Sequence, residues 1–133
     1  MPDLSSAKIV LRCRDFAMSR AFYSSVLGLT VVDEWDEAGG KGAIFALSSD
    51  HSGGYVEIYE MAPGGARYDP SFSEAVHTDK IDLQLRADSV DAWIEALEGQ
   101  WPFDGPDELP WGQRWIRLKD PDGMQIAIYE GQV

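Results

Sequence analysis

The chain has 133 residues, with 11 Lys and Arg against 23 Asp and Glu, for a formal charge of −12. That balance argues against nucleic acid and anionic membranes as partners, and no apolar run approaches the ~18 residues that a membrane-spanning helix needs. The single cysteine, Cys13, leaves no disulfide framework, and the N-terminus lacks the basic start and apolar stretch of a signal peptide, so a cytoplasmic protein is expected.

The first predicted element is a strand over 8–14. Ile9, Leu11 and Cys13 lie on one face, and Lys8, Val10, Arg12 and Arg14 on the other. Asp15 offers an N-cap to a helix whose stripe is Met18, Phe22 and Val26 with Tyr23 and Leu27, and Gly28 stops it. Strands follow over 29–35, 42–47 and 54–60, punctuated by Gly39-Gly40 and Gly53-Gly54. The acidic run Asp33, Glu34, Asp36 and Glu37 around Trp35 reads as a solvated strand end and turn. Residues 61–79, rich in Pro, Gly, Ser and Asp, read as a tether.

The order then repeats. A strand over 81–87 places Asp82, Gln84 and Arg86 on one face, and Asp88 or Ser89 caps a helix with the stripe Val90, Trp93, Ile94 and Leu97. Three prolines in 101–110 predict an irregular segment or an edge strand. Strands over 113–119 and 124–130 flank the turn Asp120-Pro121-Asp122-Gly123. Ile58-Tyr59-Glu60 closes the first half and Ile128-Tyr129-Glu130 the second, so the chain contains two copies of one unit, neither able to bury its apolar face alone. The expected fold is α+β. Two βαβββ modules, about 7–60 and 80–131, form one domain over 1–133, a curved eight-stranded mixed sheet with helices outside and an open concave cleft.

In-phase strand residues, nearby aromatics and Arg114 of the run Trp111-Gly112-Gln113-Arg114 make up the candidate ligand-binding set: Lys8, Arg12, Trp35, Tyr55, Glu57, Asp82, Gln84, Arg86, Trp111 and Arg114. His51 and His77 fall in loops, and no Gly-rich phosphate loop, nucleophile motif or close His pair is present, so no catalytic residues are assigned.

The run from Leu11 to Gly28, with Asp15, Ser19, Phe22-Tyr23 and Leu27-Gly28, resembles the opening of the vicinal oxygen chelate superfamily. Trp111-Gly112-Gln113-Arg114 followed by Asp120-Pro121-Asp122-Gly123 is similar to the last hairpin of its glyoxalase and bleomycin-resistance branch. The resemblance runs from about Lys8 to Glu130 and implies a homodimer. It spans metal-dependent isomerases, lyases and dioxygenases as well as metal-free proteins that sequester antibiotics, and fold does not choose among them. The positions matching the family's metal ligands hold Lys8, Glu57, Asp82 and Ala127. An ammonium and a methyl group donate nothing to a cation, whereas a catalytic divalent metal normally takes three protein ligands. The expectation is therefore a protein without metal or other cofactor that binds a small aromatic or cationic molecule. The alternatives are an enzyme, either a metal-dependent lyase, isomerase or dioxygenase with an atypical site or one using Lys8, Glu57 and Asp82 for proton transfer, and a module serving only as a partner-binding subunit.

Overall fold

The computed structural model describes residues 1–61 and 81–133. Beyond Met61, the tether expected at 61–79, with His77, lies outside the described residues.

In the first half, β1 (Lys8–Arg12) leads into α1 (Phe16–Ala21), and β2 (Thr30–Glu37), β3 (Gly40–Ala46) and β4 (Tyr55–Met61) follow. They form a sheet in the order β1-β4-β3-β2, with β1 parallel to β4 and the other pairs antiparallel. The second half repeats this with β5 (Leu83–Arg86), α2 (Val90–Leu97), β6 (Asp104–Glu108), β7 (Arg114–Lys119) and β8 (Gln125–Glu130), in the order β5-β8-β7-β6. The parallel pair in each unit needs a long crossover, and the helix plus the two intervening strands supply it. The eight expected strands are thus present as two four-stranded mixed sheets, one in each of two compact units.

Alternation decides which sheet face meets the helix. In the first unit Ala43, Phe45, Val56 and Ile58 are buried together with Phe22, Tyr23 and Leu27 of the helical segment, and the Tyr23 and Phe45 rings lie 5.8 Å apart. In the second, Leu83, Ile116, Leu118, Ile126 and Ile128 are buried with Val90 and Leu97 of α2.

Two local readings change. The first helix does not continue as a regular α-helix: Phe22–Val26 is a π-helical turn, closed by Leu27 N–H donating to the Phe22 carbonyl at 3.0 Å. Its buried stripe begins at Ser19 rather than Met18, which is 57% exposed. The acidic run also stays within β2, which extends to Glu37 and bulges between Val31 and Asp33. The proline-rich 101–110 segment contains β6 as an edge strand, with a cis Gly105–Pro106 bond at its bulge.

The structure also explains the repeated Ile-Tyr-Glu. The Glu60 carboxylate accepts the N–H of Phe16, the first residue of α1, and Glu130 accepts the N–H of Val90, the first residue of α2, at 2.7 Å. Asp15 and Ser89 cap the same helices one turn on, accepting from Met18 and Ala92 at 3.1 Å each. Each module therefore ties its last strand to the start of its own helix, where free N–H groups and the helix dipole favour an anion. Glu130→Ala is expected to lower stability by about 1 kcal/mol, read as a lower urea midpoint at unchanged slope.

Candidate functional site

The sheet face of the first unit that turns away from α1 is set by register. Lys8 pairs with Tyr55, Val10 with Glu57 and Arg12 with Tyr59, and on β3 Ile44 stands beside Glu57 and Gly42 beside Tyr59. Cross-strand partners share a face, so Lys8, Arg12, Tyr55, Glu57 and Tyr59 stand together as the alternation predicts.

Two features organise this face. The first is an ion pair: the Lys8 ammonium donates to Glu57 Oε1 at 2.8 Å, with the Glu57 side chain 4% exposed and that of Lys8 43% exposed. The carboxylate is withdrawn from water and compensated, while the ammonium still reaches solvent. The second is aromatic. Trp35 pairs with Gly42 across β2 and β3, and its indole lies so close to that backbone that a Cβ on Gly42 would sit 2.1 Å from Cζ2. The rings of Trp35 and Tyr59 are 6.0 Å apart, within the range of favourable aromatic pairs. A glycine inside a strand permits such close approach, and Gly42 is the feature of the sequence that signals it. At the far edge Asp33 is engaged with the Glu34 N–H at 2.8 Å. Glu34 pairs with Arg20, which holds its carboxyl below the usual range.

The second unit places Gln84, Arg86, Trp115, Arg117, Gln125, Ala127 and Tyr129 on its face away from α2, again by register. The Arg117 guanidinium lies 5.5 Å from the Trp115 ring centroid and donates to Gln125 Oε1 at 2.5 Å. Beside them a recess of about 280 Å³ is lined by Asp104, Asp107, Arg117, Leu118, Lys119 and Gln125. Arg117 lies outside the candidate set, although strict alternation from Trp115 places it on the same face.

Three candidates sit elsewhere than expected. Arg114 is on the opposite face: it pairs with Glu130 in register, contacts that carboxylate at 3.7 Å, and bonds Asp91 of α2 at 2.9 Å. The Asp91 hydrogen bond raises its already high pKa, and the residue braces strand against helix. Trp111 is 66% exposed beside the β6–β7 turn, with its indole N–H donating to Gln113 Oε1 at 3.0 Å. Asp82 falls just outside β5 and is exposed. His51 occupies the β3–β4 turn with φ 63°, edge-on to Tyr55.

The described residues gather no cluster of metal-binding side chains. Glu57 already holds an ammonium, Ala127 brings no donor, and among the described residues no three His, Cys, Asp or Glu side chains cluster around one point. No helix among them is long and apolar enough to cross a membrane.

The sequence profile of the Glyoxalase/Bleomycin resistance protein/Dioxygenase superfamily matches residues 6–128. No curated protein matches the chain. Among solved structures, TnmS3, an antibiotic binding protein from a Streptomyces species, is 22% identical, with 99% of each chain covered and a TM-score of 0.74. A glyoxylase/bleomycin resistance protein/dioxygenase domain from a Frankia species is 19% identical, with 99% of each covered and a TM-score of 0.68. A lactoylglutathione lyase from Agrobacterium tumefaciens is 21% identical over 98% of this chain and 96% of that one, with a TM-score of 0.65. At these identities the likeness is one of fold.

Proposed function

The chain belongs to the glyoxalase/bleomycin resistance protein/dioxygenase superfamily, and we propose that within it this protein binds a small planar aromatic compound without a metal ion. The observation that carries this reading is the 2.8 Å bond from Lys8 to Glu57. A carboxylate that a metal would need is neutralised by the chain's own cation. Trp35 and Tyr59 on the same face supply flat apolar area suited to a ring system. The antibiotic-binding function of TnmS3 fits this class of activity, and sequestration of an aromatic antibiotic is the form of it we favour.

The cationic ligand suggested by the net charge has less support. Lys8 and Arg12 stand on the first unit's face, and Glu57 there is both buried and paired. Two measurements test the reading together. Protein dialysed against zinc and then against metal-free buffer is expected to retain no stoichiometric metal. A panel of planar aromatic compounds is expected to include ones that raise the melting temperature, since a ligand at 100 times its Kd adds about 2.7 kcal/mol. Retained stoichiometric zinc would instead favour a metal-dependent lyase, isomerase or dioxygenase.

A further inference from the structure

We propose that Lys8 is the polar anchor of the ligand site, and that the bound ring system carries an acceptor oxygen (a carbonyl, phenolate or carboxylate) which receives a hydrogen bond from the Lys8 ammonium. The inference rests on the aromatic-binding reading above and names the chemistry of the ligand. An ammonium has three N–H donors and no acceptor. One of them is bonded to Glu57 Oε1, and among the described residues no other partner takes the remaining two. The side chain stays 43% exposed on the face that also carries Trp35 and Tyr59. Glu57, the carboxylate beside it, is already compensated by Lys8 and almost inaccessible, and Asp33, two strands away at the edge of this face, accepts the Glu34 N–H. The ion pair holds the ammonium in place, so less side-chain freedom is lost when an acceptor arrives than for an untethered lysine. A charged donor also makes a stronger hydrogen bond than a neutral one.

The test uses three naphthalene probes of similar size: methyl naphthyl ketone, its hydrocarbon isostere isopropenylnaphthalene, and naphthylmethylammonium. The first two are uncharged, which removes the long-range effect of the protein's −12 charge. Equilibrium dialysis of the wild-type protein is expected to give an affinity for the ketone about tenfold above that for the hydrocarbon, the size of one hydrogen bond to a charged donor. Naphthylmethylammonium is expected to bind weakest. Because Lys8→Met alone takes the ammonium from a buried carboxylate, the decisive variant is Lys8→Met/Glu57→Gln, which removes both charges at nearly constant volume. It is expected to bind ketone and hydrocarbon equally, at the wild-type affinity for the hydrocarbon. A tenfold ketone preference that persists in this variant, or tighter binding of the ammonium probe by the wild type, overturns the role of Lys8 and leaves aromatic binding standing. Absence of binding by all three probes to the wild type overturns the aromatic-binding reading and the inference with it.

Discussion

Lys8→Met is expected to destabilise the fold by about 2–4 kcal/mol. Removing one partner of a fully buried pair costs about 3–5 kcal/mol because the other charge is left without compensation. Here Glu57 is buried but Lys8 is 43% exposed, so water recovers part of that loss. The cost belongs mainly to the buried carboxylate that loses its ammonium and not to the lost attraction. Lys8→Met/Glu57→Gln should therefore be more stable than Lys8→Met, although it lacks one more native side chain. Urea unfolding of the three proteins measures this order directly. A single variant as stable as the wild type would mean that the remaining contacts of Glu57 satisfy its charge without Lys8.

Gly42→Ala is expected to cost about 1–3 kcal/mol, as overpacking does in a well-packed site. The added Cβ would sit 2.1 Å from Cζ2 and 2.4 Å from Cε2 of the Trp35 indole, distances that no contact tolerates. The indole is the part able to move, so the substitution should lift it from the strand and away from Tyr59. The expected signs are a red shift in tryptophan emission, a lower melting temperature and weaker binding of aromatic ligands. A double-mutant cycle isolates the cause. In a Trp35→Ala background the same substitution should be nearly neutral, because the clashing ring is gone. Equal costs in both backgrounds would place the strain in the strand backbone instead.

Both predictions concern residues whose chemistry was partly visible beforehand. Alternation along β1 and β4 placed Lys8, Arg12, Tyr55 and Glu57 on one face, because successive side chains of a strand point to opposite sides. Arg114 is a candidate only through the run Trp111-Gly112-Gln113-Arg114, and alternation does not place it on that face. Its strand was recognised, but the phase that turns it toward α2 becomes visible only through the pairing with Glu130 and the bond to Asp91. Trp111 was read as a cleft residue from its type, and a residue type carries no information about its exposure beside a turn. The helix stripe slipped from Met18 to Ser19, and the segment widens into a π turn at Phe22–Val26 that a period of 3.6 does not anticipate.

By itself the sequence determined the order of elements, the duplication into two βαβββ units and the inward and outward faces of most strands. These follow from local periodicity, caps and turn residues, which act over a few positions. At the four positions that the family resemblance marks for metal ligands it excluded two, Lys8 and Ala127, and left two carboxylates, Glu57 and Asp82, because side-chain chemistry is readable without coordinates. Only the tertiary structure decided what the repeated glutamates do and where the Lys8 charge goes. Glu60 caps a helix 44 residues before it, Glu130 one 40 residues before it, and Lys8 meets Glu57 across a separation of 49. Contacts of that span depend on which strands become neighbours and in what register, and no local propensity encodes the pairing of two particular side chains across a parallel strand pair.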